Sequence, residues 1–154
     1  MQRRVEAPKR VDDSGLRQHL GYQLRRAEMA MQQRFSLQIG VPFRLRQIEF
    51  FALTLLATNR ALTHKQISLA LAIAPSNMVG IMAALEERDL VMRQANPSDG
   101  RSFFWCLTVA GDELLERAKT AVARMEAGAL ADTESAREEL TNGLDELWSR
   151  EPSF

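Results

Sequence analysis

QISLALAIAPSNMVGIMAALEERDLVMR, residues Gln66 to Arg93, decides how this chain is read. Thr63 stands three positions ahead of Gln66, the spacing of a capping box in which each side chain satisfies the other's exposed backbone donor. A short helix therefore starts here, with Ile67, Ala70 and Leu71 as its inner face. The break that follows, Ala72 to Ala74, is brief. Pro75 suits the first turn of the next helix, because the N–H that proline lacks would have no partner there. That helix runs to about Arg88, and Met78, Ile81, Met82 and Leu85 recur at the spacing of a buried stripe. Its other face holds Ser76, Asn77, Val79, Gly80, Ala83 and Ala84. A surface helix ordinarily carries Lys and Glu at such positions; small and short polar side chains instead admit close approach of another surface.

Beyond Asp89 the period changes. Leu90 to Arg93 reads as a strand, Asn96 to Gly100 (NPSDG) as a turn and Ser102 to Leu107 (SFFWCL) as a returning strand. Upstream, Leu16, Leu20, Leu24, Ala27, Met31 and Phe35 predict one amphipathic helix from about Asp13 to Gln38. Gly40, Val41 and Pro42 break it, and a second helix carries Leu45, Ile48, Phe51, Ala52, Leu55 and Leu56 to near Asn59. Downstream, Thr108 caps a helix striped by Leu114, Leu115, Ala118, Val122, Met125 and Ala129, broken around Gly128. A last helix follows Thr133, with Ala136, Leu140, Leu144 and Leu147 on one face. The expected fold is mainly α with a small β-hairpin wing. Two short helices joined by a three-residue turn and followed at once by a hairpin form a winged helix-turn-helix, whose second helix suits a major groove.

The chain of 154 residues has one cysteine, Cys106, which excludes an intramolecular disulfide framework and every multi-cysteine zinc knuckle. With two histidines, His19 and His64, there is no metal-ligand cluster, no phosphate-cradling glycine loop and no catalytic triad signature, so neither an enzyme nor a cofactor is expected. Cys106 lies within an apolar strand, where a thiol is structural rather than reactive. No apolar run is long enough for a bilayer, and the basic N-terminus MQRRVEAPKR lacks the apolar core of a signal peptide; the expected compartment is the cytoplasm, with no membrane partner. Net charge is zero but unevenly spread: +6 over residues 1–48, zero over 49–108 and −6 over 109–154. Complementary ends favour association of the two terminal regions, within or between subunits, although a solvated basic arm and a solvated acidic helix fit the counts equally well.

From about Gln47 to Arg117 the sequence resembles the MarR family of bacterial transcription regulators. The resemblance rests on the helix-turn-helix run from Gln66 to Arg93, the wing element Asp99, Gly100, Arg101, and Leu107 to Gly111 (LTVAG), where the family has a leucine-threonine pair, two variable positions and glycine. It implies a DNA-binding lobe over residues 43–108, a helical dimerisation region over 13–42 and 109–154, and a flexible basic arm over 1–12. The residues placed on double-stranded DNA are Lys65, Ser76, Asn77, Val79, Gly80, Arg88, Arg93, Asp99 and Arg101. An arginine at a projecting turn suits the narrow, electronegative minor groove, and a neighbouring carboxylate orients it; a hairpin-tip ion pair is the plainer reading of Asp99 and Arg101. Ser76 and Asn77 open the recognition helix, where short hydrogen-bonding side chains meet phosphates or base edges, while Lys65, Arg88 and Arg93 are candidate phosphate contacts. The sequence departs from the family at Gly100, where a first wing arginine is usual, and at Asp89, where a helix-closing glycine is usual and where aspartate still tolerates the left-handed conformation.

The long helices at both ends bear apolar stripes that one winged helix does not bury, so a homodimer on a palindromic operator is expected. The resemblance also implies a repressor released by a small anionic aromatic effector. His19, Tyr22, Arg25, Arg26, Phe43, Arg44, Arg46 and Phe50, with Phe51 near them, combine aromatic walls and guanidinium groups that suit an aromatic acid or an aromatic acyl thioester of coenzyme A. Core aromatics and solvated arginines account for the same residues. The near-absence of basic side chains on the recognition helix keeps a second function open, a winged helix that contacts proteins only.

Overall fold

Thr63 and Thr108 start two helices as their positions require. Thr63 accepts a hydrogen bond from the Gln66 N–H and donates its own N–H to Gln66 Oε1 at 2.9 Å, opening α4 (His64–Ala70). Thr108 accepts from the Gly111 N–H at 3.0 Å and opens α6 (Val109–Ala127). The computed structural model describes residues 11–95, 103–129 and 134–149. It comprises two units, Met1–Gln33 and Arg34–Phe154.

In the larger unit, α3 (Gln47–Asn59), α4, α5 (Pro75–Glu87) and α6 form the helical body, and an antiparallel hairpin of β1 (Val91–Ala95) and β2 (Phe103–Leu107) packs against α3, α5 and α6. The fold is a winged helix-turn-helix. Between α4 and α5 the chain turns by 110°, within the range of helix-turn-helix pairs. Ala72 makes that turn with φ 51, a left-handed conformation that costs an L-residue roughly 1 kcal/mol. Met78, Met82 and Leu85 of α5 are wholly buried and Ile81 nearly so, against a core that includes Leu53, Leu56, Ile67 and Leu115. The predicted stripe is thus the packed face. Asp89, with φ 55, closes the helix in the left-handed region as its position demands.

Glycine at 111 has a steric cause. A Cβ there would lie 2.0 Å from the Leu90 carbonyl oxygen, so only glycine lets the start of α6 sit against the chain that leads into β1. Thr108 binds the same place, donating its hydroxyl to Asp89 O at 2.6 Å and its N–H to Leu90 O at 3.2 Å. The leucine-threonine-glycine spacing is therefore a joint between the end of α5, the hairpin and α6. β2 is held on both edges, by β1 in the register Arg93 opposite Trp105 and by Leu62, which exchanges two backbone hydrogen bonds with Trp105.

Three local expectations are corrected. The first helix does not begin at Asp13: a short 3₁₀ turn, Leu16–Gln18, is followed by extended His19, and α1 spans Leu20–Phe35. The Asp13 carboxylate accepts from Arg17 and Tyr22, which holds this turn apart from the helix and draws the Asp13 pKa below its ordinary value. Gly40, Val41 and Pro42 do not break the chain's helical course. A wide π-helical turn, Ser36–Gly40, passes into the single turn α2 (Val41–Phe43), with Pro42 in its first turn; the break comes at Arg44, with φ 50. In α3 the buried positions are Glu49, Phe50, Ala52, Leu53 and Leu56, whereas Phe51 is exposed and Leu55 partly so. Both faces of this helix are apolar, so periodicity does not select one.

α7 (Glu134–Ser149) differs from the others. Of its side chains from Ser135 to Ser149, Arg137 is half-buried and the rest are exposed, among them Leu140, Leu144, Leu147 and Trp148. Among the described residues, no single helix is long and apolar enough to cross a membrane.

Candidate nucleic-acid interface

The outer face of α5 follows from its inner one. With Met78, Ile81, Met82 and Leu85 turned into the core, Ser76, Asn77, Val79, Gly80 and Ala83 are all exposed, and a Cβ built on Gly80 meets nothing within 4 Å. Nothing on this face projects far, so a groove wall or a phosphate row can reach the helix backbone itself. Pro75 and Ser76 lie at its exposed N-terminal end, where Pro75 has no N–H and the Asn77 and Met78 N–H groups already donate to the Ala74 carbonyl, so the helix dipole rather than a row of free donors favours an anion. His64 Nε2 lies 3.0 Å from the Pro75 carbonyl oxygen, linking the first turns of α4 and α5.

The candidate cations have different surroundings. Lys65 is exposed on the first turn of α4. Arg88 turns back toward the body of the lobe, 3.7 Å from Glu49 and donating to the Phe43 carbonyl at 3.5 Å. Arg93 pairs with Glu86 at 2.6 Å, and its guanidinium lies over the rings of Phe103 and Trp105 at 4.9 and 5.0 Å. Asp99 and Arg101 fall outside the described residues.

Glu49 is the side chain that sequence reasoning passed over. It is 4% exposed, and its oxygens take the Arg46 backbone N–H and the Arg46 guanidinium, with Arg88 beyond. A buried carboxylate requires such partners, since one left alone costs several kcal/mol, about 3–5 when a partner is removed. The signal was present: a single acid in the apolar run from Ile48 to Ala57, at the third position of a helix, where it caps the backbone of residue 46.

The effector candidates divide between the two units. In the first, Tyr22 is half-buried and donates to Asp13, while His19, Arg25 and Arg26 are exposed. In the second, Phe50 is a core residue 8% exposed, its ring 5.7 Å from that of Phe35 and 6.1 Å from that of Phe51. Arg46 serves Glu49, Arg44 is exposed at the left-handed corner, and the Phe43 ring lies under the Arg117 guanidinium at 5.7 Å. Cys106 is buried on β2 and donates to Gln94 Oε1 at 3.3 Å; burial pushes its thiol pKa up. Among the described residues, no group of His, Cys, Asp and Glu is placed to hold a metal ion.

Residues 45–103, which comprise α3, the helix-turn-helix and β1, match the model of the MarR family. A solved structure of the transcriptional repressor CouR bound to a 23-mer DNA duplex is 31% identical, superposes with a TM-score of 0.83 and is matched over 90% of this chain and 99% of its own. The chain belongs to the MarR family. A curated relative, a putative transcriptional regulatory protein for the hcr operon of Thauera aromatica, is 28% identical over 107 residues, and this MarR-family chain spans 64% of its length. A structure of CouR from Rhodococcus jostii RHA1 bound to p-coumaroyl-CoA has the same fold, with a TM-score of 0.77, 24% identity and coverage of 87% of this chain and 94% of that one.

Proposed function

We propose that this protein is a DNA-binding transcriptional regulator, a repressor that engages a palindromic operator as a homodimer. The observation that carries the reading is the exposed face of α5, small-sided from Ser76 to Ala83 and set at 110° to α4 beside a hairpin. That face admits the floor of a major groove, where longer side chains would hold the helix away. Ser76, Asn77, Val79 and Gly80 read or approach base edges, Lys65 meets the backbone, and Arg101, oriented by Asp99, enters the minor groove. Residues 13–42 and 109–154 form the dimerisation region, and two lobes address half-sites about 10 bp apart. The 31%-identical CouR, a transcriptional repressor with a structure bound to DNA, supports the same reading.

The regulating ligand is a small aromatic anion, an aromatic acid or its coenzyme A thioester, which binds the DNA-released conformation more tightly than the bound one. Two groups of side chains carry the aromatic and cationic chemistry it needs, His19, Tyr22, Arg25 and Arg26 in one unit and Phe43, Arg44, Arg46 and Phe50 in the other. The test is a gel-shift titration on DNA flanking the protein's own gene, with and without aromatic acids and their thioesters, p-coumaroyl-CoA first. Saturable binding to a palindrome that one ligand relieves supports the proposal. Absence of binding at low salt overturns it in favour of a winged helix that contacts proteins.

A further inference from the structure

Arg93 has the position of a phosphate contact and the surroundings of a strut. Its guanidinium is held on two sides: by Glu86 of α5 at 2.6 Å, and by the rings of Phe103 and Trp105 of β2 at 4.9 and 5.0 Å. Those rings meet edge to face at 5.3 Å and 83°, so the cation lies against a fixed aromatic corner. The corner is itself anchored: Trp105 is buried, pairs with Arg93 across the hairpin and exchanges two backbone bonds with Leu62 just ahead of α4. One side chain therefore joins the last turn of the recognition helix to the strands that carry the hairpin loop. Relative to the backbone-contact assignment, two of its bonding directions are already committed, and an acid stands beside it that would repel a phosphate.

We infer that Arg93 is a positioning residue that fixes the angle between α5 and the hairpin, and that Glu86 and the Phe103–Trp105 corner are its two abutments. The inference rests on the DNA-binding reading above. A phosphate contact requires only positive charge, whereas a strut requires a planar cation that stacks and pairs at once. Glu86 separates the two most sharply. Removing an acid near DNA strengthens binding if Arg93 is thereby freed for a phosphate, and weakens binding if the pair sets the angle.

The experiment is fluorescence anisotropy on the operator duplex over a salt series for the wild type, Glu86→Gln, Arg93→Lys and the double variant, with melting temperatures and amide exchange of the DNA-free proteins. The strut predicts that both single variants lose roughly tenfold in affinity at a temperature where all are folded, a difference of about 1.4 kcal/mol. Their salt slopes stay at the wild-type value, the double variant is no worse than either single one, and exchange across β1 quickens. Wild-type affinity in Arg93→Lys, tighter binding in Glu86→Gln, or additive losses overturn it. If the wild type binds no DNA, the functional reading fails, and unchanged exchange across β1 in Arg93→Lys then overturns the strut separately.

Discussion

Helices α5 and α7 both carry a regular apolar stripe, and the structure treats them oppositely. On α5 the stripe is spent within the chain: Met78, Ile81, Met82 and Leu85 are buried, and what remains outside is small. On α7 the leucines at 140, 144 and 147 and Trp148 stand exposed. An amphipathic helix gains most of its stability by burying its stripe, about 25 cal/mol for each Å² of apolar surface removed from water. The two helices thus offer two kinds of contact surface. α5 presents a finished, low-relief face, and α7 leaves its apolar stripe uncovered, which in the dimer proposed above a second copy covers.

The comparison breaks first at α7. In the dimer proposed here, Leu140→Asp with Leu144→Asp yields a monomer by light scattering and weakens operator binding by roughly 100-fold or more, because the second half-site no longer binds as an intramolecular event. A variant that remains dimeric and binds normally would remove α7 from the interface.

Gly111→Ala strikes the packed side of the lobe. A Cβ placed 2.0 Å from the Leu90 oxygen forces the joint between the hairpin and α6 apart, and the expected loss is about 2–4 kcal/mol in denaturant unfolding. Gly80→Ala is the matched control. It projects into open space on α5 and is expected to raise stability by roughly 0.5–1 kcal/mol through better helix propensity. Equal losses at the two glycines would refute the assignment of inner and outer faces.

Val79→Glu sharpens the functional half of the comparison. It puts a long anionic side chain on the low-relief face and is expected to reduce operator affinity about tenfold while leaving the melting temperature unchanged, as read by anisotropy and calorimetry. The smallest effect concerns Cys106. Burial favours its neutral thiol, so the folded protein reacts slowly with a disulfide reagent at neutral pH and the unfolded chain reacts fast. The sign for stability follows. Below the ordinary thiol range this contribution is fully present, and it is lost as pH rises through that range toward the raised folded value, which pH-dependent unfolding of Cys106→Ser against wild type reads directly.

Local chemistry made much of the lobe legible. The capping of α4 by Thr63, the proline that opens α5, the left-handed close at Asp89 and the Thr108 cap all depend on a residue and its near neighbours along the chain. The stripe of α5 was legible for the same reason, since its opposite face is polar or small. On α3 no such contrast exists, and Phe51 and Phe50 exchanged places between expectation and structure. Pro42 read as a break because its tolerance at the start of a helical turn depends on where that turn begins.

Sequence by itself determined the order of elements, the helix-turn-helix and the inner and outer faces of α5, because these follow from spacing and from backbone donors satisfied nearby. Only the tertiary structure decided what the charged side chains do. Arg46 and Arg88 serve the buried Glu49, and Arg93 lies between Glu86 and two aromatic rings. The partners of Arg88 and Arg93 stand 39 and 7 positions away or on another strand, and a long flexible cation takes whichever acid or ring the packing brings within reach.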